Sequence, residues 1–294
     1  MLVVEMPSDK ESSPKWVQVS AIFPEPPADW SLIHEIFAKE GCAGSLEGET
    51  PPSLSGFLYE SPLEGKIFAR LGRALVDAGA VRVEFKGIPE ENWHETWKRQ
   101  LKPCRIGRHL VIIPFKENAL DYDQEKDIVI LIEPGQAFGT GEHPTTQLCL
   151  ELLEKHLKPN MRVLDVGTGS GILAIAAKKL GAREVIATDI EATAIEIARE
   201  NAAKNNVEIT CLLTQQVPKE EGFDLVVANL FSSTLIRLSS SLCHAIIPKG
   251  VLIVSGVISQ NWNEVRRSLE CDGVELLSTY SRDGWVAATF IKTF

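Results

Sequence analysis

After residue 106 the chain alternates short apolar segments with longer segments whose apolar residues recur at helical spacing. These patterns are typical of buried strands and amphipathic helices. The predicted strands are Leu110–Pro114, Asp127–Glu133, Arg162–Asp165, Glu184–Asp189, Glu208–Leu213, Phe223–Asn229, Val251–Ser255, Val274–Ser281 and Trp285–Ile291. Continuous apolar runs such as DLVVA and VLIVS indicate strands covered by helices on both faces. The last seven strands therefore predict a doubly wound α/β sheet, closed by a hairpin around Arg282-Asp283-Gly284.

The first 86 residues follow another order of patterns. The predicted elements are the strand Lys15–Phe23, a helix capped by Asp29, the strands Ser45–Glu47 and Gly56–Glu60, the helix Leu63–Ala78 and the strand Val81–Phe85. The residues expected on the buried helix faces are Leu32, Ile33, Ile36 and Phe37 in the first helix, and Ile67, Phe68, Leu71 and Leu75 in the second. This βαββαβ order predicts a small ferredoxin-like α+β domain.

Residues 87–105 lie between the two patterned regions. They are polar except for Trp93, Trp97 and Leu101 at four-residue intervals, which predicts a helix with one aromatic stripe. We interpret the stripe as packing on a neighbouring domain, with contact to a partner as the alternative. The sequence thus predicts a ferredoxin-like domain over 1–86, a helical linker over 87–105 and an α/β domain over 106–294.

Composition and charge narrow the possible partners. The net charge of −10 disfavours nucleic-acid binding, which depends on Lys and Arg, and suits a basic partner. No apolar run approaches the roughly 20 residues of a membrane helix, and the N-terminus lacks the pattern of a secretory signal. The six cysteines form no CxxC pair, and the six histidines show no HxxxH or HExxH spacing. We therefore expect a cytoplasmic protein, monomeric, with neither disulfides nor a metal site.

The segment VLDVGTGSG is the first candidate for chemistry. Gly167, Gly169 and Gly171 follow an apolar strand and precede an apolar helix, so their backbone can approach a ligand at the positive end of that helix. A dinucleotide-binding turn has the spacing GxGxxG, whereas Ile172 stands here where its third glycine would fall. The spacing therefore favours S-adenosylmethionine, whose carboxylate and ammonium can use the amides and carbonyls of the turn.

Polar side chains end the neighbouring strands. Asp189 ends the second strand of the predicted sheet, where it is placed to accept hydrogen bonds from both ribose hydroxyls. Asp165 ends the first strand, where it is placed to meet the ammonium directly or through water. Asn229 ends the fourth strand, and its amide oxygen is a candidate to orient an attacking amine. The alternatives are a helix cap for Asp189 and support of a turn for Asn229.

A glycine-rich loop, EPGQAFGTGEHPTT, precedes the first helix of the α/β domain. Pro144 suits the first turn of a helix, and Thr145 and Thr146 offer hydroxyls there. We interpret the segment as a loop that closes over the cofactor, with Phe138 against an aromatic or sulfonium group. Glycine loops without function are common, which is the alternative.

Together, PGQAFGTGEHPTTQLCLELLE, VLDVGTGSGILAIAAKKLGA and VVANL, with the upstream WHETWK and the ferredoxin-like start, resemble the bacterial ribosomal protein L11 methyltransferases. The resemblance covers essentially the whole chain, and AFGTGxHPTT is its specific part. It implies a class I methyltransferase fold, and binding of S-adenosylmethionine by Thr146, Gly167, Asp189 and Asn229. It also implies that the N-terminal domain docks ribosomal protein L11, and that lysine side chains and an N-terminal amine are methylated.

The chain departs from the family pattern at two places. Leu230, Phe231 and Ser232 stand where the family commonly has Ile-Leu-Ala, and Glu142 stands where Thr is frequent. The alternative functions are a class I methyltransferase acting on another protein, such as an electron-transfer flavoprotein, on RNA or on a small molecule, and a non-catalytic cofactor-binding module for assembly. No residue is an evident general base, so Asn229 is assigned a positioning role only.

Overall fold

The computed structural model describes residues 2–5, 16–27, 30–40, 42, 45–49, 51–59, 64–88, 103–114, 123, 125–133, 139, 141–218, 222–271 and 273–294. The chain divides into two compact units, Met1–Gln100 and Leu101–Phe294. The predicted linker helix with Trp93, Trp97 and Leu101 lies outside the described residues. The domain boundaries drawn from the sequence therefore stay a prediction.

The first unit contains a five-stranded sheet with two helices. Its elements are β1 (Leu2–Glu5), β2 (Trp16–Ile22), α1 (Trp30–Lys39), β3 (Ser45–Glu49), β4 (Pro52–Tyr59), α2 (Glu64–Asp77) and β5 (Arg82–Ile88). The strand order is β1-β5-β2-β4-β3. From β2 to β5 the chain follows the predicted βαββαβ order, while β1, which pairs parallel to β5, was not predicted.

Period-two alternation along β2 produces the core of this unit. Val17, Val19 and Ala21 are buried on the face that carries the helices, and Ile33 and Phe37 of α1 are 1% and 2% exposed. The expectation for Leu32 was wrong, because this side chain is 49% exposed. A helix turns by about 100° per residue, so a stripe as wide as four residues includes one position at its solvent-facing margin.

The second unit has two sheets. Its elements are β6 (Cys104–Ile106), β7 (Leu110–Pro114), β8 (Ile128–Ile132), α3 (Pro144–His156), β9 (Arg162–Val166), α4 (Ile172–Lys179), β10 (Glu184–Asp189), α5 (Ala192–Lys204), β11 (Thr210–Leu213), β12 (Phe223–Asn229), α6 (Ser232–Ala245), β13 (Ile246–Ile258), α7 (Trp262–Leu269), β14 (Val274–Arg282) and β15 (Trp285–Lys292). A three-stranded sheet has the order β6-β7-β8. Its first strand was not predicted.

The seven-stranded sheet has the order β11-β10-β9-β12-β13-β15-β14. All neighbours are parallel except those of β15, which runs antiparallel to both β13 and β14. The predicted final hairpin is confirmed: Asp283 and Gly284 both have positive φ, +50° and +79°, as a two-residue type I′ turn requires. Strand order reverses beside β9, since β10 follows on one side and β12 lies on the other. Ligands of such sheets bind at this crevice.

Helices cover both faces of the sheet. Buried residues of α3, α4 and α5 share one core with alternate residues of the strands and with the three-stranded sheet. Buried residues of α6 and α7 share the core of the opposite face. Val163 of β9 faces the first core and Leu164 faces the second, because successive side chains of a strand point to opposite faces. The doubly wound α/β prediction is confirmed.

Within the described ranges, no helix has the length and apolar character needed to cross a membrane. Among the same residues, no group of three or more His, Cys, Asp or Glu side chains is arranged to hold a metal ion. The six cysteines are free thiols. The sulfur atoms of Cys243 and Cys271 lie 3.1 Å apart.

Candidate cofactor and acceptor site

The glycine turn between β9 and α4 requires glycine for its backbone conformation. Gly167, Gly169 and Gly171 have φ angles of +76°, +54° and +83°, in the left-handed region that side chains with a Cβ disfavour. The Gly167 and Thr168 amides donate to the Thr188 carbonyl, which ties the turn to the end of β10. The turn is therefore a preformed part of the sheet edge.

The space left by the missing Cβ atoms is partly used by the protein itself. A Cβ at Gly171 would lie 3.1 Å from the Cα and Cβ atoms of Ala198, so this glycine allows α5 to pack closely. A Cβ at Gly167 would overlap the side chain of Leu230. The sequence alone suggested that these glycines serve only the close approach of a ligand. The structure shows that they also allow close packing within the protein.

Asp189 holds the turn and the next helix start together. Its Oδ2 atom accepts the Gly169 amide at 2.9 Å, and its Oδ1 atom accepts the Glu191 amide at 3.1 Å. Each carboxylate oxygen has a second lone pair, so both remain able to accept a further hydrogen bond. Support of the turn and binding of a ribose are therefore compatible at this carboxylate.

Asp165 is completely buried beneath the turn. Its Oδ2 atom accepts the Thr168 hydroxyl at 2.7 Å, whereas its buried Oδ1 atom has no hydrogen-bond partner among the described residues. Burial raises the pKa of Asp165 to about 7, with the Thr168 hydrogen bond acting in the opposite direction. A buried acceptor without a donor is costly, so this carboxyl group suits a protonated state or a donor supplied by a ligand or water.

Asn229 lies on the same face of the sheet as Asp165. Its Nδ2 atom donates to the Thr145 hydroxyl at 3.2 Å and approaches the Thr146 hydroxyl at 3.4 Å. Both threonines are 1% exposed and belong to the first turn of α3. The structure thus brings together Asn229 and Thr146, two residues that the resemblance assigns to one site, and adds Thr145.

His143 is a residue of the site that the sequence analysis missed. It is the N-cap of α3, and its Nδ1 atom lies 2.7 Å from the Thr145 hydroxyl. Its ring packs edge-on against Trp285, the first residue of β15, with centroids 4.9 Å apart. The signal for the cap was the HP pair before the threonines, but contact with Trp285 needs the tertiary structure.

Asn201 of α5 and Asn205, the C-cap of that helix, bind the backbone that leads into the glycine-rich loop. Asn205 exchanges two hydrogen bonds with the backbone of Leu131, and Asn201 accepts the Glu133 amide at 3.1 Å. Ser170 donates to the Gly139 carbonyl at 2.6 Å, which joins the loop to the glycine turn. The sequence analysis missed these anchors, because their partners are distant in sequence. Phe138, predicted to contact the cofactor, lies outside the described residues.

Large apolar side chains are exposed beside the polar strand ends. Ile190 directly follows Asp189 and is 65% exposed, and Phe231 lies two residues after Asn229 and is 39% exposed. Exposed apolar surface beside a few convergent polar groups is typical of a ligand site. The edge therefore offers apolar contact for an aromatic base, a carboxylate for hydroxyls and a buried acceptor, which fits S-adenosylmethionine.

The strand order, the glycine turn after β9 and the acid at the end of β10 define a class I S-adenosylmethionine-dependent methyltransferase. A family model described as "Ribosomal protein L11 methyltransferase (PrmA)" matches residues 35–293. The chain belongs to this family, as the sequence motifs predicted, and is a methyltransferase that uses S-adenosylmethionine. The match extends through both units, beyond the catalytic fold that many methyltransferases share.

Individual proteins that are similar to this chain carry the name of the same family. The chain is 42% identical over 204 residues to the ribosomal protein L11 methyltransferase of Dictyoglomus thermophilum, covering 69% of this chain and 67% of that one. It is 41% identical over 226 residues to the protein of the same name from Ralstonia pickettii, covering 74% of each chain. The crystal structure of ribosomal protein L11 methylase from Lactobacillus delbrueckii subsp. bulgaricus matches with 33% identity and a TM-score of 0.62, covering 66% of this chain and 100% of that one.

Proposed function

We propose that this enzyme methylates ribosomal protein L11 of the large ribosomal subunit. The observation that carries the proposal is the family match over residues 35–293, which includes most of the N-terminal unit. The net charge of −10 supports it, because proteins that bind ribosomal RNA are basic as a rule. The same charge supports an enzyme that does not itself bind nucleic acid.

The cofactor site of the proposal consists of Gly167, Gly169, Asp165, Asp189 and Asn229. Asp189 is assigned to the ribose hydroxyls, since both of its oxygens keep a lone pair at the sheet edge. Asp165 is assigned to the ammonium, directly or through water, because its Oδ1 atom has no donor among the described residues. An ammonium there would stabilise the ionised carboxylate and lower its pKa again.

Two further cofactor assignments depend on the resemblance. Thr146 is assigned a role close to the cofactor, and its contact with Asn229 supports this, although its hydroxyl is buried. Phe138 is assigned to the cover of the site. Ile190 is added to the set, because an exposed apolar side chain directly after Asp189 suits one face of an aromatic base.

S-adenosylmethionine, when bound, would supply a methyl group on a positively charged sulfur: transfer to an amine breaks the S–CH₃ bond, forms an N–CH₃ bond, leaves a neutral thioether and releases the amine proton to solvent. Asn229 is assigned to the acceptor amine, which its amide oxygen orients. A lysine amine, with a pKa near 10.4, must be neutral to react, and apolar surroundings such as Phe231 favour its neutral form. The protein thus acts by alignment and exclusion of water, without a general base assigned.

The acceptor groups are proposed to be lysine ε-amines, the N-terminal α-amine of L11, or both. The ferredoxin-like domain over 1–86 is proposed to dock the substrate, with 87–105 as a helical linker to the catalytic domain over 106–294. The enzyme is proposed to act as a monomer in the cytoplasm, where ribosomal proteins are made.

The test is a transfer assay with purified enzyme, S-adenosylmethionine labelled in its methyl group, and separate acceptors. Recombinant L11, ribosomal RNA and an unrelated basic protein of similar size are compared. We expect label in L11 alone, with mass spectrometry placing it on lysines or on the N-terminus. Label in RNA, or equal label in the unrelated protein, would contradict the proposal. Absence of turnover with every acceptor would favour a binding module.

A further inference from the structure

Four side chains from three separate segments form one contact chain that ends at Asn229. Trp285 contacts His143 edge-on at 4.9 Å between ring centroids, His143 Nδ1 lies 2.7 Å from the Thr145 hydroxyl, and the Thr145 hydroxyl lies 3.2 Å from Asn229 Nδ2. The segments are the end of β12, the start of α3 and the hairpin that begins β15. Thr145 is the central member, and nothing in the function proposed above requires it.

The available donors and acceptors determine which atom donates in each hydrogen bond between His143, Thr145 and Asn229. The Thr145 backbone amide also points at His143 Nδ1, at 3.4 Å, so this nitrogen is an acceptor and carries no proton. The Thr145 hydroxyl therefore donates its single hydrogen to His143. Its oxygen is left as an acceptor, which matches only the NH₂ group of Asn229. The amide orientation is thus determined by its neighbours, which is how such orientations are assigned.

This orientation matters because an amide has two chemically different ends. Its NH₂ group is held by the Thr145 hydroxyl at 3.2 Å, with the Thr146 hydroxyl further away at 3.4 Å, so Asn229 turns its carbonyl oxygen away from α3. A neutral amine acceptor carries N–H groups, which an oxygen can align and an NH₂ group opposes. An amide free to rotate would spend part of its time in the opposing orientation, and alignment of reacting groups is the main contribution of this site.

Trp285 keeps the imidazole in place from the other side. Asn229 pairs with Ser255 of β13, whereas Trp285 pairs with Ile258. At about 3.3 Å per residue, Trp285 lies roughly 10 Å further along the strand direction, beyond the edge at which Asn229 ends. The edge-on contact of the indole with His143 limits the movement of the imidazole ring.

We propose that Thr145, held by His143 and Trp285, is a positioning residue that sets the orientation of the Asn229 amide toward the acceptor amine. The inference rests on the proposed transfer to an amine. It assigns catalytic importance to the hairpin residue Trp285, which is distant in sequence from every glycine and acid of the cofactor site.

The first experiment replaces Thr145 by valine, which has the same shape without the hydroxyl, and by serine, which restores the hydroxyl. We expect Thr145→Val to lower kcat by about 10- to 100-fold and to change the Kd of S-adenosylmethionine, measured calorimetrically without acceptor, by less than about threefold. Thr145→Ser should recover most of the kcat. Unchanged turnover in Thr145→Val, or equal losses of kcat and cofactor affinity, would overturn the inference.

Trp285 supplies a graded second test. Trp285→Phe keeps an aromatic ring against His143, whereas Trp285→Leu removes it. We expect a fall in kcat of about three- to tenfold for leucine and a smaller one for phenylalanine, with the Kd of S-adenosylmethionine maintained in both. Equal kcat in leucine and wild-type enzyme would remove Trp285 from the proposal.

A measurement on the free enzyme separates this inference from the proposed function. The side-chain amide of Asn229, assigned by NMR through its loss in Asn229→Asp, should exchange its protons slowly in the wild type and in Thr145→Ser, and faster in Thr145→Val. Fast exchange in the wild type would overturn the inference, whatever the acceptor is. Failure to methylate L11 with a protected amide would instead overturn the proposed substrate.

Discussion

The proposed cofactor side and the proposed acceptor side of the site are built in different ways. On the cofactor side, the hydrogen bond between Gly169 and Asp189 joins residues 20 positions apart in the sequence, and the hydrogen bond between Thr168 and Asp165 joins residues 3 positions apart. On the acceptor side, the hydrogen bond between Asn229 and Thr145 joins residues 84 positions apart in the sequence. These hydrogen bonds of the first side lie within one βαβ unit, β9-α4-β10. The second side exists only when β12, α3 and the final hairpin are assembled.

This difference predicts that substitutions on the cofactor side change stability and affinity, whereas substitutions on the acceptor side change turnover.

The largest expected effect concerns Asp165. Its pKa of about 7, raised by burial from 3.8, means that the folded protein holds a proton between about pH 4 and 7 that the unfolded chain releases. Stability from this group is therefore present below pH 4 and falls as the pH rises to 7, by about 4 kcal/mol.

Asp165→Asn should remove this pH dependence while keeping an acceptor for Thr168. The measurement is urea unfolding of both proteins without cofactor from pH 4 to pH 8. The variant should gain stability relative to the wild type as the pH rises. A constant difference between the two proteins would show that Asp165 is ionised over the whole range, and would contradict the raised pKa.

Asn229→Ala tests the acceptor side directly. We expect kcat to fall by about 100-fold, near 2.7 kcal/mol, because the residue proposed to orient the amine is lost. The Kd of S-adenosylmethionine should rise less than the turnover falls. Asn229→Asp is the matched control for shape. Turnover of Asn229→Ala equal to that of the wild type would refute the positioning role.

Gly171→Ala tests the packing of the cofactor side. The added Cβ meets the backbone of Ala198 at 3.1 Å, and the residue has a φ of +83°. We expect a loss of about 2–3 kcal/mol in the free energy of unfolding. Gly284→Ala is the control, since its φ of +79° is similar but nothing lies within 4 Å of an added Cβ. Its cost should be about 1 kcal/mol. Equal costs would mean that Ala198 yields without penalty.

Asp189→Asn is expected to have the smallest effect of the series. Asparagine keeps one oxygen for the turn but loses an acceptor and the charge, so the Kd of S-adenosylmethionine should rise about tenfold, or 1.4 kcal/mol. The kcat at saturating cofactor should stay within about threefold of the wild type. A large loss of kcat with unchanged affinity would reverse the division between the two sides.

Several elements could be predicted from the sequence to the residue. The strands Leu110–Pro114, Glu184–Asp189 and Phe223–Asn229 have the predicted bounds, because each contains a short apolar run, LVII, VIA or LVVA, next to polar residues. Edge elements were harder. The strand Cys104–Ile106 was missed, since three residues carry no measurable period, and β13 extends beyond Val251–Ser255 at both ends because pairing with its neighbours prolongs it.

By itself, the sequence determined the glycine turn, the polar strand ends and the family. Local backbone conformation and hydrophobic periodicity depend on residues that are close together in the sequence, so they can be read from it directly. Only the tertiary structure decided that Asp165 is buried with an acceptor unsatisfied, and that Gly171 serves the packing of α5. It alone joined Trp285, His143, Thr145 and Asn229. Such contacts depend on which strands neighbour each other and which face each residue takes, and neither is encoded at any single position in the chain.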